Sequence, residues 1–143
     1  MRATRAPRTS MNGVKRAATN GAKPAALNGV KKETFSDGKV SAAGRYLDGK
    51  KTGVWRYYFR NGLLRAIGGL KEGRLDGTWK WNRENGQLLQ VGRFKGGKQD
   101  GVWKRFRENG ELYDVGAYEN GKKVGTWKTY GVDGKLSRTK TFR

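Results

Sequence analysis

The first 32 residues carry one kind of chemistry, because they contain eight basic side chains and no acidic one. Lysine and arginine neutralise phosphate groups without reading bases, so an acid-free segment of this kind favours binding to a polyanion. Two other interpretations stay open: a solvated tail, and an organelle transit peptide, since the segment is rich in Arg, Ala and Thr. The predicted polyanion-binding residues are Arg2, Arg5, Arg8, Lys15, Arg16, Lys23, Lys31 and Lys32.

The residue types on which most enzymes depend are missing from the sequence. There is no cysteine and no histidine, which removes thiol nucleophiles, Cys/His zinc sites and the commonest general base. The serines lack such a partner, and the glycine-rich phrases lack the Gly-Lys-Ser/Thr order of a phosphate-binding loop. We therefore expect a non-enzymatic protein with no catalytic residues, no metal, no cofactor and no small-molecule substrate.

The net charge of +20, from 32 basic and 12 acidic residues, favours polyanionic partners. We expect the backbone of RNA or DNA, bound without sequence specificity, or an acidic protein surface, within a larger protein assembly. No apolar run approaches a membrane span, and we expect neither a signal peptide nor a transmembrane segment. The expected location is the cytoplasm or the inside of a virion.

The acid-free segment is also too poor in apolar side chains to fold alone. Ordering it costs roughly 1–2 kcal/mol per residue in backbone entropy, which its few large apolar residues cannot offset. We therefore predict a disordered or extended, low-complexity tail over residues 1–32. All 12 acidic residues lie in 33–143, which we predict to be a folded array.

A 24-residue repeat organises residues 33–143. Trp recurs at 55, 79, 103 and 127, with Gly two residues earlier each time. Asn-Gly or Asp-Gly recurs at the same interval, and such dipeptides between alternating residues are the strongest short signal for a hairpin. The pattern predicts an all-β protein, in which about ten short strands form a single-layer antiparallel meander.

The repeat also predicts a register. A two-residue type I′ turn at Asn61-Gly62 pairs Phe59 with Leu64 and Trp55 with Gly68, where the indole has room to cover the glycine backbone. In the last repeat, the same count places Trp127 opposite Lys140. Alternation then predicts one packed face, which carries the four repeated tryptophans together with Tyr57, Phe59, Trp81, Leu64, Leu70, Leu88, Phe94, Leu112, Tyr118, Leu136 and Phe142.

The opposite face carries a candidate basic row, because a basic residue follows each repeated tryptophan. The row consists of Arg56, Lys80, Lys104 and Lys128. It could follow a phosphate backbone, or it could be an ordinary solvated face that Glu84 and Glu108 partly neutralise. A base-stacking platform is a further alternative, mainly at the off-pattern aromatics Tyr57, Tyr58 and Trp81.

The segments that join the hairpins are YLDGKKTGVW, LKEGRLDGTW, FKGGKQDGVW and YENGKKVGTW, beginning at residues 46, 70, 94 and 118. This aromatic-x-x-Gly-basic-x-x-Gly-x-Trp pattern resembles the MORN repeat. With the Asn-Gly-x-Leu hairpin it is most similar to the bacterial MORN variant of small antitoxin-like proteins, over about residues 37–143. The resemblance implies single-layer β-meanders that act as scaffolds, dimerisation surfaces or lipid-binding modules.

Three functional hypotheses follow. In the first, the array docks on a partner while the tail anchors on a polyanion, as an accessory component of a nucleic-acid-containing assembly such as a ribosome or virion. In the second, the array is a protein–protein scaffold or antitoxin-like binder that works through its sheet face or edges. The third and weakest is a module that binds an anionic membrane surface.

Overall fold

A computed structural model of the chain describes residues 27–143 and contains ten strands in one sheet. The strands are β1 (Gly29–Thr34), β2 (Val40–Leu47), β3 (Lys50–Tyr58), β4 (Leu64–Lys71), β5 (Arg74–Asn82), β6 (Leu88–Lys95), β7 (Lys98–Phe106), β8 (Leu112–Glu119), β9 (Lys122–Tyr130) and β10 (Leu136–Phe142). Each pairs antiparallel with the next, in chain order. The predicted ten-stranded, single-layer antiparallel meander is thus confirmed.

The array begins earlier than the sequence predicted. Strand β1 starts at Gly29 and pairs with β2, so the last four residues of the predicted tail lie in the sheet. Lys31 and Lys32 are therefore strand residues. The other six predicted tail residues, from Arg2 to Lys23, lie outside the described part of the chain.

The hairpin turns at Asn-Gly and Asp-Gly are not of the predicted type I′. Asn61 does not have a positive φ, whereas Gly62 has φ 89°. The Gly62 N–H donates to the Phe59 carbonyl, and the Phe59 N–H donates to the Leu63 carbonyl. This is a three-residue loop that ends on a left-handed glycine. Asn61 acts through its side chain instead, since its Oδ1 accepts the Leu63 N–H at 2.9 Å.

The turns with two consecutive positive φ values are the ones that join one hairpin to the next. Asp48, Glu72 and Asn120 have φ between 51° and 55°, and each precedes a glycine that also has positive φ. Gly96 and Gly97 take the same two positions in the remaining turn. The backbone twist of such turns matches that of the flanking strands, which explains why this turn follows every even-numbered strand from β2 to β8.

Each repeated indole lies over a glycine, but not over the one that was predicted. The registers Trp55 with Gly68 and Trp127 with Lys140 are confirmed. The rings, however, lean onto the preceding strand, where a Cβ on Gly44 would meet Trp55, and one on Gly68 would lie 2.0 Å from Trp79. The cause is an irregularity in the register beside Gly44 and Gly68.

This irregularity leaves one backbone carbonyl free to accept a hydrogen bond from each indole N–H. Trp55 Nε1 donates to the Arg45 carbonyl at 3.0 Å, and Trp79 Nε1 donates to that of Gly69 at 2.8 Å. Trp103 and Trp127 repeat the arrangement with the carbonyls of Arg93 and Ala117. Ring and hydrogen bond together hold every odd-numbered strand from β3 to β9 against the strand before it.

The packed face is an aromatic ladder. Trp55, Tyr57, Trp79, Trp81 and Trp103 are at most 3% exposed, and successive rings lie 5.5–6.2 Å apart. In this single sheet the rings exclude water mainly by covering one another and the backbone. Burial of such rings is the main stabilising contribution to the array.

The leucines that follow the hairpin turns do not belong to this core. The register shift beside Tyr58 places an extra residue in β4, so Leu64 pairs with Tyr58 and not with Phe59. One extra residue moves a side chain to the other face of a sheet. The same shift occurs before Leu88 and Leu112, and Leu136 is 53% exposed. The predicted place of Leu64, Leu88, Leu112 and Leu136 on the packed face is therefore wrong.

Candidate nucleic-acid interface

The predicted basic row lies on the face opposite the aromatic ladder, which we call the open face. Arg56 and Lys80 both pair with Ile67 of β4, Lys80 and Lys104 with Val91 of β6, and Lys104 and Lys128 with Val115 of β8. Register therefore places the four in one line across seven strands. All four side chains are exposed.

Lys32 extends this row to a fifth member. It pairs with Ala43, which also pairs with Arg56, and it is exposed. The sequence interpretation assigned Lys32 to the tail, although the interval from 32 to 56 is again 24 residues. Periodicity was thus sufficient to find it. From here on, "basic row" means Lys32, Arg56, Lys80, Lys104 and Lys128.

No member of the basic row is neutralised by an acidic side chain in the structure of residues 27–143. The ion pairs found there are Lys51–Glu33, Arg60–Asp37, Arg93–Asp100 and Arg105–Asp114. Glu84 and Glu108, which belong to the alternative of a solvated and partly neutralised face, are exposed residues of the hairpin turns and pair with none of the row's members. The row is therefore a line of uncompensated positive charge.

The dimensions of the row follow from sheet geometry. Its members stand on every second strand, so neighbours are about 9.6 Å apart and the five span about 38 Å. Neighbouring strands of a sheet are turned by about 20–25° on average, so we expect each basic residue to be turned by about 40–50° from the one before it. At this average twist the row would form a helical stripe and not a flat one.

A line of rings runs beside the basic row on the open face, two residues further along the odd-numbered strands. Tyr58, Phe106 and Tyr130 occupy equivalent positions two residues after Arg56, Lys104 and Lys128, and each is half-buried. Asn82 takes the fourth position, after Lys80. We call Tyr58, Phe106 and Tyr130 the ring row.

The ring row changes the prediction of a base-stacking platform. Tyr57 and Trp81 are 2% and 3% exposed within the aromatic ladder, so their ring faces are not accessible and their predicted role in stacking is wrong. Tyr58 alone of the three lies on the open face. Phe106 and Tyr130 could have been found with it, because the three recur at multiples of 24 residues.

The packed face becomes polar toward its C-terminal half. Where β3 and β4 pair Tyr57 with Ala66, β7 and β8 pair Arg105 with Asp114. The Arg105 guanidinium binds that carboxylate in two places, at 3.0 Å and 2.5 Å. A largely buried ion pair of this kind contributes little net stability compared with an apolar pair, so the aromatic ladder is strongest in its N-terminal half.

A second polar cluster lies at the N-terminal end of the packed face. Lys51 Nζ lies 4.3 Å from the centre of the Trp55 ring, 3.2 Å from the Tyr57 hydroxyl and 4.0 Å from a Glu33 carboxylate oxygen. Burial lowers the pKa of Lys51 to about 8, although Glu33 opposes this shift. Burial also raises the pKa values of Tyr46 and Tyr57, so both hydroxyls stay protonated well above pH 10.

The buried lysine predicts a pH dependence of stability. Between pH 8 and 10 the unfolded chain holds the Lys51 proton and the folded chain releases it, so the free energy of unfolding rises with pH. We expect a gain of about 1–2 kcal/mol over this window. The gain should vanish in Lys51→Leu, which copies Leu75 of the next repeat. Urea denaturation of both proteins at several pH values measures it, and equal slopes would contradict the assignment.

Two structural features are absent from residues 27–143. No three His, Cys, Asp or Glu side chains of residues 27–143 are grouped so that they could hold a metal ion. That part of the chain also contains no helix long and apolar enough to cross a membrane.

Comparison with known families matches part of the array. A family model described as a MORN repeat variant matches residues 75–95 and 99–120, which correspond to the hairpins β5–β6 and β7–β8. The resemblance to the MORN repeat is thereby confirmed. No curated protein matches the chain.

Comparison with solved structures gives two matches at low sequence identity and low TM-score. One is an S. aureus TarM mutant in complex with fondaparinux, alpha-GlcNAc-glycerol and UDP, with a TM-score of 0.44, 10% identity, and coverage of 94% of this chain and 22% of that chain. The other is a GtfA/B complex bound to UDP and GlcNAc, with a TM-score of 0.37, 18% identity, and coverage of 64% and 22%. This chain spans about a fifth of the length of either solved chain.

Proposed function

Since two of the repeats match a family model of a MORN repeat variant, we propose that this chain is a non-enzymatic binding protein whose open face holds the phosphate backbone of a single-stranded nucleic acid. The observation that carries the proposal is the basic row, five exposed and uncompensated cations in one cross-strand line. Contacts between cations and phosphates release counterions, and this release drives binding without base specificity.

The ring row supports a single strand as the ligand. Unpaired bases stack on aromatic side chains, and this stacking tolerates any sequence. Tyr58, Phe106 and Tyr130 stand about 7 Å from the basic row along their strands, which is within reach of bases whose phosphates lie on the row. A duplex keeps its bases stacked inside and gains nothing from these rings.

The twist of the row favours a flexible polymer over a flat membrane surface. At the average twist of a sheet, the first and last members of the basic row would be turned by about 160–200° from each other. A planar bilayer can therefore meet only part of the row at once, whereas a single strand can follow the stripe. The acid-free residues 1–26 would then add phosphate contacts beyond the array, as expected in a large nucleic-acid-containing assembly.

The test is binding of a fluorescent single-stranded oligonucleotide at several salt concentrations. We expect replacement of Arg56, Lys80, Lys104 and Lys128 with glutamine to weaken binding by on the order of 100-fold at physiological salt. The slope of log K against log salt should fall by about 3, because each phosphate contact on a single strand contributes about 0.7. RNA, DNA and duplex forms of one sequence identify the preferred ligand.

A matched control separates the row from net charge. Lys50, Arg74, Lys98 and Lys122 are also exposed, include the same residue types, and begin odd-numbered strands after the linking turns. Their replacement with glutamine removes the same charge and should change affinity far less. Equal losses in the two variants would show that only net charge matters, and would contradict the proposal.

The tail is tested separately by deleting residues 1–26, which leaves every described strand intact. We expect weaker binding and a smaller salt slope than in the full chain, because six basic residues are lost. An unchanged slope would remove the tail from the proposal but would leave the row in place.

A protein partner is the second candidate, because Val54 and Val102 of the open face are 53% and 59% exposed. Exposed aliphatic side chains favour a protein surface over a phosphate backbone. In that case the array alone would retain its partner at high salt, where phosphate contacts are screened.

A further inference from the structure

A cavity lies beside the hairpin turns, between β3 and β7. It has a volume of about 500 Å³ and is lined by Phe59, Arg65, Trp81, Arg83, Leu89 and residues of the neighbouring turns, including Glu84 and Glu108. This volume is within the range of pockets that hold small organic ligands. Trp81 belongs to the aromatic ladder, so the cavity is separate from the basic row on the open face.

The flanking hairpins show what normally occupies the equivalent space. In the preceding hairpin the Arg65 guanidinium lies 5.5 Å from the centre of the Phe59 ring. In the following hairpin the Arg107 guanidinium lies 4.8 Å from the centre of the Tyr113 ring. At a period of 24 residues, the corresponding pair in the middle hairpin is Arg83 and Leu89. The arginine is present, but the ring is missing.

Arg83 nevertheless makes the same hydrogen bond as Arg107, which does stack on a ring. Its Nη2 donates to the Phe106 carbonyl at 3.0 Å, just as Arg107 Nη2 donates to the Tyr130 carbonyl at 2.9 Å. The Arg83 guanidinium is therefore held by a hydrogen bond and has no stacking partner among the described residues. A planar guanidinium stacks well on an aromatic face.

A second feature belongs to Trp81, which lines the cavity, and it favours a hydrogen-bond acceptor on the ligand. The four repeated tryptophans all donate their indole N–H to a backbone carbonyl. Trp81 is 3% exposed, yet its Nε1 has no hydrogen-bond partner in the structure of residues 27–143. A buried donor without an acceptor is costly, and a ligand carbonyl would supply one.

The charges around the cavity indicate a neutral ligand. Arg65 and Arg83 contribute two positive charges, and Glu84 and Glu108 contribute two negative charges at the exposed turns. We propose that this cavity binds a small, neutral, planar aromatic molecule with a carbonyl acceptor, whose ring stacks on Arg83 in the place that Tyr113 fills in the next repeat. This site goes beyond binding of nucleic acid and does not depend on it.

The test uses the full chain labelled with ¹⁵N and follows its indole N–H resonances. Trp81→Phe identifies the Trp81 signal by its loss. Benzamide is the probe, because it combines a ring with an amide carbonyl. We expect benzamide to shift the Trp81 signal to saturation and to leave the Trp55 and Trp127 signals unchanged. Failure of benzamide to move the Trp81 signal would overturn the proposal.

Two comparison compounds separate ring recognition from general apolar filling. Cyclohexanecarboxamide keeps the acceptor but lacks a π face, and toluene keeps the ring but lacks the acceptor. We expect each to bind about fivefold more weakly than benzamide, the size of effect that a single stacking contact or hydrogen bond produces. Equal affinities for all three would show an unspecific apolar cavity and would contradict the proposal.

Leu89→Tyr is the decisive variant, because it places the residue of the next repeat into the cavity. The tyrosine ring should stack on Arg83 and leave the other indole signals unchanged. It should weaken the binding of benzamide by at least about tenfold, since the space is filled. Leu89→Met is the matched control and should bind like the original chain. If Leu89→Tyr does not fold, Arg83→Lys tests the same contact, with an expected loss of about fivefold. Unchanged binding in the folded variant would overturn the proposal.

Discussion

Replacement of Gly68 with alanine is expected to destabilise the array by about 3 kcal/mol or more. A Cβ at this position would lie 2.0–2.3 Å from three atoms of the Trp79 ring, far inside contact distance. Because Trp79 is fully buried between Tyr57 and Trp81, the ring has no free space to move into. The variant must give up ring packing, at a cost of about 1–3 kcal/mol, and the bond from Nε1 to the Gly69 carbonyl, worth about 1 kcal/mol.

Thermal or urea unfolding measures the loss, and Gly62→Ala is the matched control. Gly62 has φ 89° and faces open space, so alanine there carries only the backbone penalty of about 1–2 kcal/mol. Gly68 does not have a positive φ, so its substitution tests the ring contact alone. If both variants lost the same stability, the close approach of indole and glycine would not be a main stabilising feature of the fold.

The second large effect is expected at the two edges of the sheet. Within the described residues, β1 and β10 each pair on one side only. At the 24-residue period, Lys31 of β1 takes the position of the repeated tryptophan, and Lys140 of β10 takes the position of the glycine beneath it. If β10 of one copy met β1 of the next, the strands would be antiparallel and two lysines would face each other. Edge lysines of this kind oppose strand addition.

The double variant Lys31→Trp with Lys140→Gly restores the repeat pattern at this seam. We expect head-to-tail association about 100-fold tighter than in the original chain, because an indole covers a glycine where two charges repelled each other. Sedimentation at several protein concentrations, in salt high enough to screen the net charge, measures it. Each single variant supplies only one side of the contact and should associate more weakly than the double variant. An average mass that does not change with concentration in the double variant would contradict this account of the edges.

The edge lysines bear on the hypothesis of a scaffold that works through strand addition. An open meander offers two edges, and the sequence alone left them available for pairing. The structure shows that the residues at those edges differ from the repeat at the two positions that pack one strand on the next. A partner therefore has a better surface on the open face, where the basic row and ring row lie, than at either edge.

The tail and the array divide the charge between them. Six of the eight basic residues of the predicted tail lie before the described part of the chain, whereas Lys31 and Lys32 are in β1. Lys32 belongs to the basic row, and Lys31 opposes the addition of another strand at the β1 edge. Two adjacent lysines that composition could not tell apart thus differ in expected role, because neighbours in a strand point to opposite faces of the sheet.

The sequence by itself determined the architecture, because its repeat has no insertions. A spacing of 24 residues with Trp, Gly and turn dipeptides in phase is enough to predict ten strands, their order and the pairing of Trp55 with Gly68. It also placed Arg56, Lys80, Lys104 and Lys128 on one face, since alternation along a strand needs no further information.

Only the tertiary structure decided the features that depend on one extra residue or on the lean of a ring. The register shift after Tyr57 moves Leu64 to the open face, and no local preference in the sequence signals a β-bulge at this point. The indole of Trp79 could have covered Gly68 or Gly92. It covers Gly68, because the free Gly69 carbonyl on that side accepts the indole N–H. The missing ring beside Arg83 became visible for the same reason, because contacts between repeats exist only once the strands are paired.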